Sequence, residues 1–505
     1  MLKKYALLIG IIVLKFIIQF NLVNPAYELQ RDEFLHIDQG KHLAAGFISV
    51  PPLTALQSWL ILKLGNTDFW VRFFPALFGA ITIIIVWKAI EELKGGIYAL
   101  LLGSCCILFS ALLRLNILYQ PNSFDVMAWT FIYFCIIKFI NRENKKWIWL
   151  AAMAFAVAFL NKYNIAFQLM GLLPALLICR QRKIFTMPVL YFAMLFAFLL
   201  IAPNIYWQYQ NGFPVLQHMR ELTDTQLVNV KRVDFLKEQL LFFVNGLIVL
   251  IAGFFSLWFY QPFKKYRVLF YSFVFTLVIF IALRAKSYYA IGLYPIFIAF
   301  GAVWLEIILE KKWKKWAIRP LLIVIPVVIF ILILPFAFPI KNPEKIVAES
   351  AKNNISHTWE DGKEHPIHQD FADMIGWKEL AAIVDSAYQK INDPSQTIVF
   401  CDNYGQAGAI NYYSKVKNIH ALSSNADYAT WFPDSLQWKN CIRVKENDKL
   451  TREINHFDSC FVSGKIKNKL AREYGTTVFT LLNADDSIKA ILQSEIIKAK
   501  NKYRN

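Results

Sequence analysis

Charge is scarce in this 505-residue sequence: 18% of its residues are charged, against 57% hydrophobic and 16% aromatic, and its mean hydropathy is +0.40. Soluble globular chains carry about a quarter charged residues. The deficit lies in residues 1–340, where apolar runs of about twenty residues recur, each long enough to cross a hydrocarbon core about 30 Å thick. So many uncharged runs exclude a soluble globule, whose core would have to be implausibly large. Cysteine is sparse as well. Cys105, Cys106, Cys135 and Cys179 sit in apolar segments and read as small hydrophobes. Cys401, Cys441 and Cys460 lie in the tail, where two could pair in an oxidising compartment. None has metal-ligand spacing. The glycine pattern G-x-G-x-x-G is missing, which argues against a dinucleotide site. No small-residue cleavage site follows the apolar run after Lys3-Lys4, so that run is expected to stay as the first span. Internal repeats and low-complexity linkers are absent.

What is present is a strong positive bias in the hydrophobic part. The net charge is +18. Residues 341–505 hold 22 Lys+Arg against 21 Asp+Glu, which leaves 32 against 15 in the first 340. These basic residues are scattered between apolar segments and form no single face, so a nucleic-acid partner is not expected. Spans are expected near 5–22, 70–88, 97–113, 123–140, 147–161, 164–179, 185–206, 238–260, 266–283, 288–309 and 318–338, about eleven in all. With a cytoplasmic N-terminus, the inner loops are 89–96, 141–146, 180–184, 261–265 and 310–317. Four of them carry Lys/Arg clusters, such as Arg180-Gln181-Arg182-Lys183 and Lys311-Lys312-Trp313-Lys314-Lys315, as positive-inside orientation requires. Segments 24–69, 114–122, 207–237, the turn at 284–287 and the tail then face outward, away from the cytoplasm.

The tail alternates helix-like and strand-like stretches: a helix over Trp377–Ile391, a strand over Thr397–Phe400, a helix after Asn403, and short apolar runs near 459–463 and 477–482. This predicts a small extracytoplasmic α/β domain over 341–505 after a transmembrane domain over 1–340.

The first outer loop carries the most chemistry. Asp32-Glu33 follow the first span, and Val50-Pro51-Pro52-Leu53 open a stretch with Leu53, Leu56, Leu60 and Leu64 at helical spacing, suited to lying in the membrane interface. Taken alone, Asp32 reads as the cap of a helix beginning at Glu33. The wider pattern resembles the GT-C class of membrane glycosyltransferases, in particular bacterial relatives of protein O-mannosyltransferases and lipid A aminoarabinose transferases. The resemblance rests on Asp32-Glu33, Pro51-Pro52-Leu53, Arg72, Gln120-Pro121-Asn122-Ser123-Phe124-Asp125, Asn161-Lys162-Tyr163 and Lys286-Ser287-Tyr288-Tyr289 before Leu293-Tyr294-Pro295. In the tail it rests on Gln369–Trp377 and Asn403–Ala409.

The resemblance implies transfer of a sugar from a polyprenyl-phosphate carrier to an acceptor hydroxyl on a lipid, glycan or protein of the envelope, in a bacterial inner membrane. It places Asp32 at the catalytic acidic position. An alcohol attacking C1 must lose its proton, which a positioned carboxylate accepts. One carboxylate suits a single inverting displacement, with no covalent intermediate. Glu33 is the second catalytic candidate. Candidates for the donor phosphate are Arg72, Lys162, Arg284 and Lys286, since cations must offset its growing charge. For substrate contacts they are Asp125, Tyr163, Tyr288 and Tyr289. Each has a plainer reading: Asp125 as an acid at a helix N-terminus, the tyrosines as an aromatic belt, Arg72, Arg284 and Lys286 as interface anchors. Related transferases often carry Lys or His just before the Pro-Pro pair, where this chain has Val50. No cofactor is firmly implied. His36, Asp38 and His42 lack a second cluster to complete a metal site. Gly405 and Gly408 between strand and helix read as a tight turn or an anion cradle. The rival functions are a transporter or lipid flippase, disfavoured because the spans look apolar through their centres, and an envelope glycan polymerase or ligase using pyrophosphate-linked donors.

Overall fold

The computed structural model describes residues 2–225, 227–417, 419–433, 436–451 and 453–502. Packing divides it into two units. One consists of Met1–Leu22, Arg72–Tyr206 and Met219–Phe338; the other of Val23–Val71, Trp207–His218 and Pro339–Asn505. The segment after the first helix thus packs with the tail.

The first unit is helical, and a helix occupies each of the eleven apolar segments. Five are long and apolar enough to cross a membrane unaided: Asp68–Glu92, Asn122–Arg142, Pro188–Gln210, Gln261–Ala282 and Trp313–Ala337. Two more candidate spans are bent pairs, Arg232–Leu241 with Val244–Phe259 at 59° and Ser287–Leu293 with Pro295–Ile308 at 47°. Ile97–Leu108, Lys146–Phe159 and Ile165–Ile178 are apolar but short. A 14-residue helix such as Lys146–Phe159 rises only about 21 Å. Length and composition therefore support up to seven spans among the described residues, fewer than the hydropathy runs suggest. Polar breaks such as Asn161–Asn164 end helices that hydropathy alone would extend.

Small residues let these helices approach closely, as they must where lipid supplies no hydrophobic drive for association. A Cβ on Gly253 would run into the Phe297 carbonyl oxygen, and one on Gly301 would meet the Val249 carbonyl oxygen. The acidic residues that neutralise the 89–96 loop are consumed in ion pairs. Glu91 binds Lys4 and Lys88, each at 3.0 Å, and Glu92 binds Lys138 at 2.5 Å and Arg142 at 3.0 Å. These pairs bring the start of the first helix and the ends of the Asp68–Glu92 and Asn122–Arg142 helices to one side, as the alternation of loops requires. The spans are not apolar throughout. Lys15, 1% exposed within the first helix, donates to the Ala76 carbonyl at 2.5 Å. The segment 207–237, expected as a loop, forms helices over Pro214–Thr225 and Arg232–Leu241.

The second unit contains a mixed five-stranded sheet in the order Ala421–Ser423, Thr397–Cys401, Asn440–Lys445, Thr477–Ala484, Phe457–Lys465. The first three strands are parallel and the last two pairings antiparallel. The apolar run Ile398-Val399-Phe400-Cys401 is buried on both faces, as a central parallel strand should be. Ile398 and Phe400 join Cys441, Phe479 and Leu481 in a core closed by Ile488, Leu492 and Ile496 of the C-terminal helix Asp486–Lys502. The helices Trp377–Gln389 and Tyr404–Tyr413 complete the α/β layer. All seven cysteines are free, so the tail contains no disulfide.

Candidate active site

In the second unit the helix Arg31–Gln39 carries Asp32. Its N-cap is Gln30, whose side chain accepts from the Asp32 amide at 2.8 Å, while Glu33 Oε2 accepts from the Gln30 amide at 2.6 Å. This capping box satisfies two otherwise orphaned backbone donors. It separates the two adjacent carboxylates. Glu33 is fully buried and holds the helix start, whereas Asp32 is half-buried and reachable. The cap that the sequence assigns to Asp32 is made by Gln30.

The Tyr404 hydroxyl donates to Asp32 Oδ1 at 2.6 Å, and the Arg31 guanidinium lies 4.6 Å from the Tyr404 ring centre. Burial, then the Asp32 charge, pushes the Tyr404 hydroxyl well above its ordinary range, so it stays a donor. Tyr404 opens the helix Tyr404–Tyr413, which packs directly on the Asp32 helix. A Cβ on Gly408 would lie 2.6 Å from Phe34 Cβ and 2.8 Å from the Tyr428 hydroxyl. Gly408 thus serves helix approach. Phe34 is ringed by Trp377, Tyr412 and Tyr413 at centroid distances of 5.7–5.9 Å. Asn403 caps the same helix through the Gln406 amide at 3.0 Å.

Further acids fasten the 23–71 segment to the tail. Glu28 accepts from the Trp377 and Lys378 amides at 2.6 and 3.1 Å. Asp38 accepts from Tyr428 at 2.5 Å and Asn411 at 2.9 Å, and pairs with Lys41 at 2.7 Å. Asp373 is paired with Arg472 at 3.2 Å, yet burial outweighs that charge and pushes its carboxyl up to about 7. His36 contacts Gln39 at 3.1 Å, its pKa lowered by burial, and His42 stacks on Trp431. Among the described residues no group of three or more His, Cys, Asp or Glu could hold a metal ion.

In the first unit, four of the sequence candidates come together. Lys162 Nζ donates to Asn122 Oδ1 at 2.7 Å and lies 4.4 and 5.2 Å from the ring centres of Tyr289 and Tyr288. Asp125 accepts from Trp129 at 2.8 Å and from Asn164 at 2.9 Å. Asn164 also donates to the Tyr289 carbonyl at 3.0 Å. The charges of Asp125 and Lys286 both act on Lys162. Tyr163 turns to Asn204, donating at 3.0 Å, and Arg284, exposed at φ 52°, donates to the Val228 carbonyl at 3.3 Å. Arg72 lies half-buried near the start of the Asp68–Glu92 helix. Sequence reasoning missed Trp129, Asn164 and Lys15. Trp129 lies one helical turn after Asp125, a spacing that does signal a shared face.

Val50 is 8% exposed and packs with Phe47, Ala55 and Trp431, an apolar setting in which a cation would be costly.

The sequence model of the family described as dolichyl-phosphate-mannose-protein mannosyltransferase matches residues 49–207. No curated protein matches the chain. Among solved structures, ArnT from Cupriavidus metallidurans bound to undecaprenyl phosphate aligns with a TM-score of 0.62 at 13% identity, over 94% of this chain and 97% of that one. ArnT from the same organism in the apo state gives 0.63 at 12%, over 94% and 98%. At this identity the likeness is one of architecture, and the chain has the fold of a GT-C glycosyltransferase.

Proposed function

We propose that this chain is a membrane glycosyltransferase that moves a sugar from a polyprenyl-monophosphate carrier to a hydroxyl of an envelope acceptor, on the outer face of a bacterial inner membrane. The observation that carries the reading is Asp32: a half-buried, reachable carboxylate held by Tyr404, in a chain with the fold of a protein crystallised with undecaprenyl phosphate. Asp32 takes the acceptor's proton as its oxygen forms the bond to C1, and the C1–O bond to the carrier phosphate breaks with inversion. The departing phosphate gains charge that cations must meet. Lys162 is the first choice, because Asn122 and the two tyrosine rings fix it and the Asp125 carboxylate supplies a countercharge. Lys286, Arg72 and Arg284 remain secondary candidates, and Asp125, Tyr163, Tyr288 and Tyr289 are proposed substrate contacts. The first unit also contains a cavity of about 300 Å³ lined almost wholly by apolar side chains, including Ile132, Phe155, Phe159, Leu172 and Ile201, suited to a prenyl chain.

Mass spectrometry of envelope lipids and glycans from cells with and without the protein tests this reading. A loss of one sugar mass from an acceptor, with accumulation of the monophosphate-linked sugar, supports it. Accumulation of a pyrophosphate-linked glycan would move the assignment to a polymerase or ligase. Movement of lipid across the membrane without a new glycosidic bond would make it a transporter.

A further inference from the structure

The second unit contains a cavity of about 570 Å³, within the usual range of about 300–1,000 Å³ for small-molecule sites. All its lining residues belong to that unit. His42 and Trp431 stack along it, ring centroids 4.4 Å apart and planes 10° from parallel, and Trp207 lines it from another segment. Polar groups stand among the rings: Asp427, Asn211, Thr430 and Lys500.

Asp427 is the most informative of these. It is 1% exposed, and its carboxylate accepts from Gln39 at 2.8 Å, Ser49 at 3.1 Å and the Ile48 amide at 2.6 Å. A carboxylate has about four acceptor sites, so three donors leave one for a ligand hydroxyl. Gln39 and Ser49 fix its orientation. The Asn211 amide is likewise held, donating to the Trp207 carbonyl at 2.8 Å. Indole faces beside rigid hydroxyl-binding groups suit a pyranose. Its axial C–H bonds lie against an electron-rich ring face, and its equatorial hydroxyls reach outward to acceptors and donors.

The cavity also has a fixed relation to Asp32. Gln39, which holds Asp427, ends the helix whose first turn carries Asp32, and seven residues of helix rise about 10 Å, on the order of the length of two linked pyranoses. Resting on the glycosyltransferase reading above, we infer that this cavity is the acceptor subsite, binding a pyranose of a glycan acceptor one or two sugars from the hydroxyl that is modified. The acceptor class is thereby a saccharide.

Saturation-transfer NMR on the full-length protein in nanodiscs, with methyl glucoside, galactoside and mannoside as probes, tests the inference without any carrier substrate. At least one pyranoside is expected to receive saturation, strongest on its ring C–H protons. Trp207→Ala and Trp431→Ala should each weaken binding about tenfold, the loss of one aromatic contact. Trp207→Phe and Trp431→Phe should retain most of it, which separates a lost ring face from a lost fold. Asp32→Asn should bind as the wild type does. Binding that survives both alanine variants would overturn the subsite, as would saturation of no pyranoside. Binding of inorganic phosphate in place of any sugar would also overturn it. Wild-type protein that binds a pyranoside but turns over no carrier-linked sugar would count against the proposed reaction, and would leave the cavity a saccharide site while overturning its acceptor role.

Discussion

Tyr404 donates its hydroxyl to Asp32 at 2.6 Å, joining residues 372 positions apart. One belongs to the segment after the first helix and the other to the strand-to-helix turn of the tail, so the tail sets the orientation of the carboxylate proposed to do the chemistry. Tyr404→Phe removes one donor to a charged group, an interaction worth about 1.5–3 kcal/mol. Turnover is expected to fall about ten- to a hundredfold with little change in carrier affinity. Steady-state kinetics of the purified variant checks this, and an unchanged rate constant would mean that Tyr404 plays no part in orienting the base.

Gly408→Ala tests the packing that brings those helices together. The added Cβ lies 2.6 Å from Phe34 Cβ, and both groups sit on helix backbones that cannot yield cheaply. Overpacking of this kind costs about 1–3 kcal/mol. A lowered melting temperature together with reduced turnover is expected. Unchanged values for both would show that the helices have slack.

Asp373 gives a pH signature. Its folded pKa, about 7, lies above its ordinary value of 3.8 because of burial. The folded state therefore binds a proton that the unfolded state has released over that interval, and stability falls as pH rises from about 4 to 7. The contribution is bounded by roughly 4 kcal/mol, because each tenfold change in proton affinity is worth about 1.4 kcal/mol. Thermal melts across this range should show a steeper decline for the wild type than for Asp373→Asn. Parallel curves would contradict the assignment.

Lys162→Met replaces the cation with a side chain of similar length. Turnover is expected to fall about a hundredfold or more, the usual cost of one lost charge-stabilising donor. Single-turnover measurements on carrier-linked sugar would locate the loss in the chemical step. A loss confined to acceptor binding would point to another cation for the phosphate.

Much of this arrangement was legible in the sequence, for physical reasons. Long uncharged runs mark membrane helices because backbone polar groups in lipid must pair within the segment. The tail's elements follow from period and turn chemistry: the strand Thr397–Cys401 holds the apolar run Ile398–Cys401 before Asn403, and Trp377–Gln389 and Thr477–Ala484 fall where the pattern puts them. The Leu53 stretch is helical over Leu53–Lys63, with Leu56, Trp59, Leu60 and Leu64 on its exposed side. Other features required distance. No local pattern reveals that Tyr404 reaches Asp32, or that Gly408 exists to admit Phe34. Glu33 could not be told from Asp32 by type, since both are carboxylates and only the cap at Gln30 separates them. Lys15 was hidden by its apolar neighbours, because hydropathy averages conceal one charge satisfied by a carbonyl.

Whether Asp32 is the base is decided by the rate of sugar transfer from an undecaprenyl-phosphate-linked donor, compared between purified Asp32→Asn protein and the wild type. A general base contributes about 10²–10⁴-fold, so a loss of that size at an unchanged melting temperature is expected. Full transfer by the asparagine variant would contradict the assignment of Asp32 as the base.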